Sequence, residues 1–504
     1  FYHGYHLPLF TLYPTYLLLS IVFPIITAKI LSVFQICVLH TYKSKNFTPY
    51  SKINPFKSSC FFPIMAISLF EQGGFFMLLK KRILPLALSV IMAVSALTGC
   101  GSSSEKDSSS GAETTLTMWT IATESDSFHK PYLQAIEEFE KNHPGVKINM
   151  ETFENESYKT KIKAAVAANE LPDIFFTWAG GFSESFVSSG KVMCLDDYYK
   201  NYEKEISKTA LANDIYDGKL YGSVTCTPVS VMWYNKEMFK KQGVEVPATW
   251  DDFKAVCKKF IDAGIKPIGT SVKDTWVLAM LHDGLALKSA GADKVTKALT
   301  KQGQSYNDPD FVKAANCIKE LVDMGAFIDG ATGLSNDEAS ASFYAEQVPM
   351  YFTGSWMGGS IVTDAEKPDN FSVAPIPVVN SENASVTDFM GGGSDTLMVS
   401  AGTKNKDLAA AAAFEITRGV SKYAYLSGAG IPAWTVDYDA SSVPALTQQV
   451  ADIAGKATSY TLWFDTLMSS DDAGEYLTLL QSLFAGDLKP EEFAAGMDKQ
   501  LSKK

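Results

Sequence analysis

Asp173-Ile-Phe-Phe-Thr-Trp178 is an apolar segment that predicts a buried β-strand, and it is the third of its kind in this part of the sequence. The first two are Leu116–Thr120 and Val146–Phe153. Between the three lie Pro131–Phe139 and Tyr158–Asn169, whose apolar residues recur at the spacing of one helix face. Short strands that alternate with amphipathic helices predict sheets covered by helices. The sequence therefore indicates the α/β class.

The same alternation continues further along the chain. Val229–Tyr234 predicts a strand that passes into a helix ending near Gly243. Another helix is expected to begin after Thr249, because a threonine can accept hydrogen bonds from the free N–H groups of a first helical turn. Asp251 and Asp252 favour the positive end of that helix. The predicted α/β region spans about 390 residues, which exceeds one ordinary domain and indicates two lobes.

The charge distribution narrows the class of ligand. The chain has 504 residues and a formal net charge of −12. Of its 44 Lys+Arg residues 8 precede Cys100, against 1 of its 56 acidic residues, so the part from Cys100 onward carries −19. An acidic surface argues against nucleic acids and anionic lipid surfaces as partners. Arg418 is the only arginine after Cys100. Arginine is the preferred side chain for carboxylates and phosphates, so its scarcity favours a neutral ligand, although lysines or backbone amides can also bind anions.

Residues 77–100 have the parts of a secretory signal. Met77 opens a basic head that ends at Arg82, and an apolar core of about 15 residues follows, which is too short to span a bilayer. Leu97-Thr-Gly-Cys100 resembles the lipobox of bacterial lipoproteins, whose cysteine is lipidated and becomes the N-terminus. We therefore expect residues 77–99 to be a signal peptide, Cys100 to carry the lipid and the Ser/Gly-rich residues 100–115 to be a tether.

Residues 1–76 allow two interpretations. Residues 7–39 are apolar enough to insert into a membrane. Alternatively, residues 71–76, read back into nucleotides, accommodate a purine-rich GGAGGA just before the codon of Met77, which resembles a ribosome-binding site. We favour the second interpretation, in which residues 1–76 are an untranslated or disordered extension of the gene.

The sequence contains no motif that predicts catalysis, a cofactor or a metal. The nucleophile elbow G-x-S-x-G and the zinc motif H-E-x-x-H are both absent, and three histidines follow Cys100. Gly428–Ala433 fits G-x-G-x-x-A, but it follows a helix pattern and contains a proline, so it is rejected as a dinucleotide site. The other cysteines after Cys100 form no C-x-x-C pair, and both one disulfide and buried free thiols remain open for them: Cys194, Cys226, Cys257 and Cys317.

Several short motifs follow one another in an order that is typical of one family. They are Asp173–Trp178, Tyr221-Gly222, Trp233-Tyr-Asn-Lys236, Pro247-Ala-Thr-Trp250, Phe343–Val348, Met350-Tyr-Phe-Thr-Gly-Ser-Trp356, Phe371–Pro377, Gly391–Gly393 and Asp407–Gly419. In this order the chain resembles the extracellular solute-binding proteins of carbohydrate ABC importers, the family of maltose-binding protein. The resemblance covers nearly all of residues 114–500.

The resemblance implies a two-lobed, type II periplasmic-binding-protein-like fold whose lobes are joined by crossing hinge segments. The crossings are expected near residues 225–230, 375–379 and 431–434. The first lobe would then comprise residues 114–226 and 378–432, and the second lobe residues 227–377 and 433–504. Such a protein is expected to be a monomer at the outer face of the cytoplasmic membrane, held by its lipid anchor alone, and to deliver its ligand to the permease subunits of an ABC transporter.

A neutral sugar needs flat aromatic surfaces and polar side chains that exchange hydrogen bonds with its hydroxyls. Trp178 ends a strand before Ala179-Gly-Gly181, and Trp356 lies in a glycine-flanked turn, so both are candidate stacking surfaces. Trp233 and Trp250 are assigned to packing. The remaining ligand-binding candidates are Trp276, Trp434, Trp463, Glu124, Asp126, Asn155, Asp395 and Asp465.

Two other functions remain open. A secreted carbohydrate-active enzyme needs only two carboxylates at a suitable separation, which a sequence does not exclude. The same fold could instead bind a polyamine or a peptide, because acids placed between aromatic side chains would suit a polyamine.

Overall fold

The computed structural model describes residues 113–503. The strands are β1 (Thr114–Thr120), β2 (Val146–Thr152), β3 (Ile174–Trp178), β4 (Ile215–Tyr216), β5 (Lys219–Leu220), β6 (Gly222–Val224), β7 (Ser230–Asn235), β8 (Ile268–Gly269), β9 (Met350–Gly354), β10 (Phe371–Ala374), β11 (Asp388–Met390), β12 (Asp395–Val399) and β13 (Ser459–Thr461).

The helices are α1 (His129–Asn142), α2 (Asn155–Ala168), α3 (Gly181–Ser188), α4 (Asp196–Tyr199), α5 (Lys236–Gln242), α6 (Trp250–Asp262), α7 (Thr275–Ala290), α8 (Ala292–Leu299), α9 (Pro309–Asp323), α10 (Asn336–Tyr344), α11 (Met357–Asp364), α12 (Lys406–Ser427), α13 (Ala445–Ala454), α14 (Phe464–Leu467), α15 (Ser470–Ala485) and α16 (Pro490–Leu501). Three short 3₁₀ turns lie at Ala212–Asp214, Pro368–Asn370 and Ala440–Ser442.

The first lobe is built on a five-stranded sheet in the order β2-β1-β3-β12-β6. β1 pairs in parallel with β2 and β3, whereas β12 runs antiparallel to β3 and β6. The sequence predicts strands covered by helices, and the structure agrees, since Leu116, Met118 and Ile174 of the strands are fully buried under helices α1, α2 and α12. The parallel strands direct their carboxyl ends to one edge, where α/β folds bind ligands.

The second lobe has its own four-stranded sheet, in the order β10-β7-β9-β8. β7 lies between two antiparallel neighbours, and Trp233 in β7 is fully buried, as its assignment to packing expects. Helix α6 begins after Thr249, whose hydroxyl accepts a hydrogen bond from Asp252 N–H at 3.3 Å. The predicted cap is therefore present, and the two sheets confirm the α/β, two-lobed architecture.

The first crossing between the lobes lies at residues 225–229, between β6 and β7, close to the prediction. The second lies later than predicted. Residues 378–390 pack on the second lobe, because Val378 exchanges hydrogen bonds with Ala248 and Trp250, and Val379 N–H donates to Lys288. The chain enters the first-lobe sheet only at β12, so the crossing lies at residues 391–394 rather than 375–379.

The third crossing was predicted at residues 431–434, and Ile431 does lie at the boundary, because its carbonyl accepts from Thr227 N–H of the first crossing and its side chain packs on the second-lobe core. The chain nevertheless remains on the first lobe after these residues. Trp434 packs in the first-lobe core, and Thr435 N–H donates to Glu205 of the same lobe. Helix α13 is the next element of the second lobe, and its Leu446 and Val450 pack with Trp233. The crossing therefore lies between residues 437 and 444. Below, the first lobe means residues 114–224 with 395–436, and the second lobe means residues 230–390 with 445–503.

The expectations for the N-terminal part lie outside the described residues. They concern the extension 1–76, the signal peptide 77–99, the lipidation of Cys100 and most of the tether 100–115. Within residues 113–503, no helix combines the length and the apolar character needed to cross a membrane. Cys194, Cys226, Cys257 and Cys317 are all free, which selects thiols over the disulfide.

Candidate functional site

A cavity of about 910 Å³ lies between the two lobes. Its first-lobe wall comes from the segments that follow β1 and β2, from α1 and α2, and from the ends of β3 and β12. Its second-lobe wall comes from α7, α10, α11, β9 and the residues around α14. Small-molecule sites usually measure roughly 300–1,000 Å³. The cavity therefore has room for a ligand at the large end of that range.

Four tryptophans form aromatic surfaces in this cavity. Trp178 stands at the end of β3 on the first lobe, and Trp276, Trp356 and Trp463 lie on the second lobe. The ring centroid of Trp356 lies 6.3 Å from that of Trp276 and 5.8 Å from that of Trp463. The second lobe thus presents a continuous wall of three indole rings, and the first lobe presents a single tryptophan.

The turn that carries Trp356 depends on Gly354 at the end of β9. The indole ring of Trp356 folds back over Gly354, and a Cβ atom at this position would overlap the ring. Trp463 is fixed differently, because its Nε1–H donates to Ser230 Oγ at 2.6 Å. Gly354 is therefore explained by packing of the Trp356 ring, whereas Gly358, on the other side of Trp356, lies against the carbonyl oxygen of Gly428.

Two carboxyl groups of the first lobe lie together in the cavity. Asp395 opens β12 directly opposite Trp178 in the sheet register, and Asp126 follows β1. Burial raises the pKa of Asp395 to about 7, with a further contribution from Asp126. Burial and the nearby Asp337 raise the pKa of Asp126 to about 6, although Asp126 also accepts a hydrogen bond from Phe128 N–H at 2.7 Å. Near neutral pH these groups can both donate and accept hydrogen bonds.

Further polar atoms face the cavity without a partner in the described part of the chain. Asn155 Oδ1 on the first lobe and Thr353 Oγ1 on the second are buried and make no hydrogen bond there. Buried polar atoms normally have partners. The two atoms are therefore well placed to accept or donate hydrogen bonds to a bound molecule.

The structure brings together eight of the ten predicted ligand-binding residues in this cavity. They are Trp178, Trp276, Trp356, Trp463, Asp126, Asn155, Asp395 and Asp465.

Two predicted residues lie elsewhere. Trp434 is buried in the first-lobe core, where its Nε1–H donates to the carbonyl of Val224 at 2.9 Å and its ring packs near Tyr202 and Phe414. Its prediction rested on a hinge that the structure places later in the chain. Glu124 follows β1 as predicted, but its side chain is exposed and is not part of the cavity wall.

Sequence reasoning did not identify several other residues of the cavity wall. Tyr132 lies on the apolar face of α1, Thr353 within β9 and Lys159 on α2, among residues whose local pattern indicates only packing or solvation. Asp337 had a weak signal, since Ser335 and Glu338 form a capping box that places it in a first helical turn. Local pattern does not show which helix ends meet across a cleft.

The family model for bacterial extracellular solute-binding proteins matches residues 123–414. The chain belongs to this family. The match includes the first two crossings and six of the eight predicted residues in the cavity, all but Trp463 and Asp465, which follow α12. The family is one of extracellular solute-binding proteins and not of enzymes.

Individual relatives agree with this assignment. A structure determined in a study of xylan utilization by the thermophilic bacterium Caldanaerobius polysaccharolyticus is 35% identical, with a TM-score of 0.74, and the match covers 76% of this chain and 99% of that one. The arabinooligosaccharide-binding protein of Bacillus subtilis is 31% identical over 263 residues, which are 50% of this chain and 58% of the relative. An uncharacterized ABC transporter extracellular-binding protein of Pyrococcus horikoshii is 25% identical over 317 residues, or 59% of this chain and 70% of the relative.

Proposed function

We propose that this solute-binding protein captures a neutral sugar or oligosaccharide in the cavity between its lobes and delivers it to the membrane permease of an ABC importer. The observation that carries the proposal is the set of four tryptophans, one from the first lobe and three from the second, around a cavity of about 910 Å³. Indole rings stack on the C–H faces of sugars, and the carboxyl and amide groups beside them suit hydroxyls. The size of the cavity favours an oligosaccharide.

The charges of the cavity wall support a ligand without negative charge. Eight acidic side chains line it, and Lys159 is the only basic one among the described residues. Moving an anionic ligand into this field would be unfavourable. The arabinooligosaccharide-binding relative and the structure from the study of xylan utilization suggest the first neutral candidates to test, which are arabinooligosaccharides and xylooligosaccharides.

A thermal-shift screen tests the proposal. The purified protein is heated with xylotriose, arabinotriose, cellotriose and maltotriose, and in parallel with spermidine and a tripeptide. A ligand at 100 times its dissociation constant should add about 2.7 kcal/mol to the free energy of unfolding. A shift with one of the sugars supports the proposal. If spermidine or the peptide raises the melting temperature and no sugar does, the proposal is wrong and the cavity binds that other class of ligand.

We further propose that the protein binds its sugar without cleaving it. Two carboxyl groups, Asp126 and Asp395, do lie together in the cavity, and a pair of carboxyl groups is what a glycosidase uses. The absence of reducing-end release from the four trisaccharides during long incubation is the expected result. Steady release that disappears in the Asp395→Asn variant would identify an enzyme instead.

We propose that Cys100 anchors the protein to the outer face of the cytoplasmic membrane. The support is the basic head, the apolar core and Leu97-Thr-Gly-Cys100 in the sequence. The Cys100→Ser variant should lose the lipid, which mass spectrometry of the N-terminal peptide detects, and should leave the membrane fraction. Retention of the variant in the membrane fraction would contradict the anchor.

A further inference from the structure

Lys159 occupies an unusual position in the cavity wall. It projects from α2 of the first lobe, and its Nζ lies 5.4 Å from the ring centroid of Trp178. The same Nζ lies 3.0 Å from Glu156 Oε1, one turn earlier in α2, and 3.5 Å from Asp465 Oδ2. Lys159 thus contacts an aromatic candidate and two carboxylates at once.

The pair of Lys159 and Asp465 connects the two lobes. Asp465 belongs to α14, which is fixed in the second lobe because Phe464 is fully buried in its core and donates its N–H to Asp283 Oδ2 at 2.9 Å. Glu156, in contrast, lies on the same helix as Lys159. Of the two carboxylates that contact the ammonium group, only that of Asp465 therefore links Lys159 to the second lobe.

The surroundings make this pair stronger than a surface ion pair. The side chains of Lys159 and Asp465 are each 16% exposed, whereas that of Glu156 is 41% exposed. Burial by itself would lower the pKa of Lys159, but Asp465 and Glu156 outweigh it and hold the pKa above its ordinary value. Removing Lys159 takes its cation away from the buried Asp465 carboxylate, and removing Asp465 leaves Lys159 paired only with Glu156 of its own helix. Either single substitution should therefore separate the two elements.

The neighbouring backbone shows how closely the lobes meet at this point. Gly181 at the start of α3 lies against the carbonyl oxygens of Leu467 and Met468 at the end of α14. A second cross-lobe contact, from Ser125 Oγ to Asp337 Oδ2 at 3.3 Å, lies between exposed side chains. Of these two side-chain contacts between the lobes, only the pair of Lys159 and Asp465 is both charged and largely buried.

We propose that Lys159 is a positioning residue that joins the lobes through Asp465 before a ligand arrives and thereby sets Trp178 at its working distance from the tryptophans of the second lobe. The ammonium group contacts the ring of the first-lobe tryptophan and the carboxylate of the second lobe, so the separation of the two aromatic walls depends on it. A cavity whose walls are already in position binds more tightly, because less ordering is needed on binding. The effect on affinity rests on the proposed sugar-binding function, whereas the effect on lobe separation does not.

The test compares four variants with the wild-type protein. Lys159→Met keeps the apolar stem and removes the charge, and Asp465→Asn removes the carboxylate at nearly constant volume. The double variant lacks both. Glu156→Gln is the matched control, because it removes a carboxylate from the same lysine without touching the second lobe. Small-angle X-ray scattering of the ligand-free proteins measures lobe separation, and calorimetry with xylotriose and arabinotriose measures affinity.

Lys159→Met and Asp465→Asn should each increase the radius of gyration of the ligand-free protein. Each should also lower, by about tenfold, the affinity for whichever of the two trisaccharides the wild-type protein binds. The double variant should be no worse than either single variant, because both substitutions remove the same connection. Glu156→Gln should resemble the wild type in both measurements. Thermal unfolding shows that each variant is folded before it is compared.

Unchanged scattering of both single variants would overturn the proposal, as would an equal effect of Glu156→Gln. If neither sugar binds the wild-type protein but Lys159→Met still separates the lobes, the choice of sugar in the proposed function fails and the positioning role stands. Altered affinity without altered scattering would make Lys159 a direct ligand contact and would likewise overturn the positioning role.

Discussion

The tryptophans of this protein differ in how their rings are used. Trp233 and Trp434 are almost fully buried, and each donates its Nε1–H to a backbone carbonyl. Trp178 and Trp356 are only partly buried, and both border the cavity from opposite lobes. The same residue type therefore serves the core at two positions and the cavity at two others, which makes a matched comparison of substitutions available.

Trp178→Ala and Trp356→Ala should each weaken sugar binding by roughly thirtyfold, or about 2 kcal/mol, because each removes an aromatic surface that a sugar would cover. Trp434→Ala should instead lower the free energy of unfolding by about 3–5 kcal/mol, since it leaves a cavity in the first-lobe core. Calorimetric titration and denaturant unfolding of the three variants measure the two effects. If all three variants fail to fold, Trp178 and Trp356 are core-packing residues and not ligand contacts.

Asp214 offers a pH-dependent test of the first-lobe interior. Its side chain is fully buried beside Thr396, and burial raises the pKa of Asp214 to about 8. The folded protein therefore holds a proton that the unfolded chain, with an ordinary value near 3.8, has already released. A raised carboxyl pKa favours folding at low pH, and the free energy of unfolding falls as the pH rises from about 4 to about 8.

Asp214→Asn removes this titration and keeps the shape of the side chain. The difference in free energy of unfolding, variant minus wild type, should therefore increase with pH by up to about 1.4 kcal/mol per unit between pH 4 and pH 8. Urea unfolding at four pH values measures the slope. Using the difference cancels the titration of Asp126 and Asp395, which both proteins share. A difference that does not change with pH would show that Asp214 is ionised in the folded protein.

Helices and strands whose signals are local follow the sequence closely. The helix predicted after Thr249 begins at Trp250, because its cap and its acidic first turn lie within a few residues. The predicted strand ending at Trp178 also ends there. The second crossing lies later than the sequence predicts, because hydrogen bonds of Val378 and Val379 with residues distant in the sequence hold residues 378–390 to the second lobe. Such pairings have no local signature.

The contact between α3 and α14 depends on the absence of a side chain at Gly181. A methyl group there would overlap the carbonyl oxygens of Leu467 and Met468, which are backbone atoms and yield little. Gly181→Ala should therefore lower the free energy of unfolding by about 1–3 kcal/mol and weaken sugar binding, because α14 also carries Asp465.

Gly474→Ala is the control for this substitution. Gly474 lies within α15, and a Cβ atom there would meet no heavy atom within 4 Å. Alanine favours a helix by up to about 1 kcal/mol over glycine, so this variant should be as stable as the wild type or more stable. Equal melting temperatures for the two glycine variants would show that α3 and α14 separate easily.

The arrangement of the two lobes depends on contacts between segments that are far apart in the sequence. Each lobe combines segments that are distant in the chain, such as β3 with β12 and β7 with β10. The family resemblance supplied the number of lobes and crossings, and the residue pattern supplied eight residues of the cavity wall, among them all four tryptophans. Neither supplied Lys159 or Thr353, because these residues gain their role from the opposite lobe or from the space that they face.

Three crossings, at residues 225–229, 391–394 and 437–444, are the covalent links between lobes that both line the cavity. A ligand that contacts both aromatic walls gains contacts only as they approach, so it shifts the protein towards a more closed form. Saturation with the sugar identified by thermal shift should therefore reduce the radius of gyration. The reduction should be larger in Lys159→Met, whose ligand-free form starts with the lobes further apart, and should be smaller in Trp356→Ala, which lacks part of the second-lobe aromatic wall and is less fully occupied at the same sugar concentration. A radius of gyration that stays constant while calorimetry shows full occupancy would mean that the lobes hold one separation throughout binding, and release to a permease would then require opening by the permease itself.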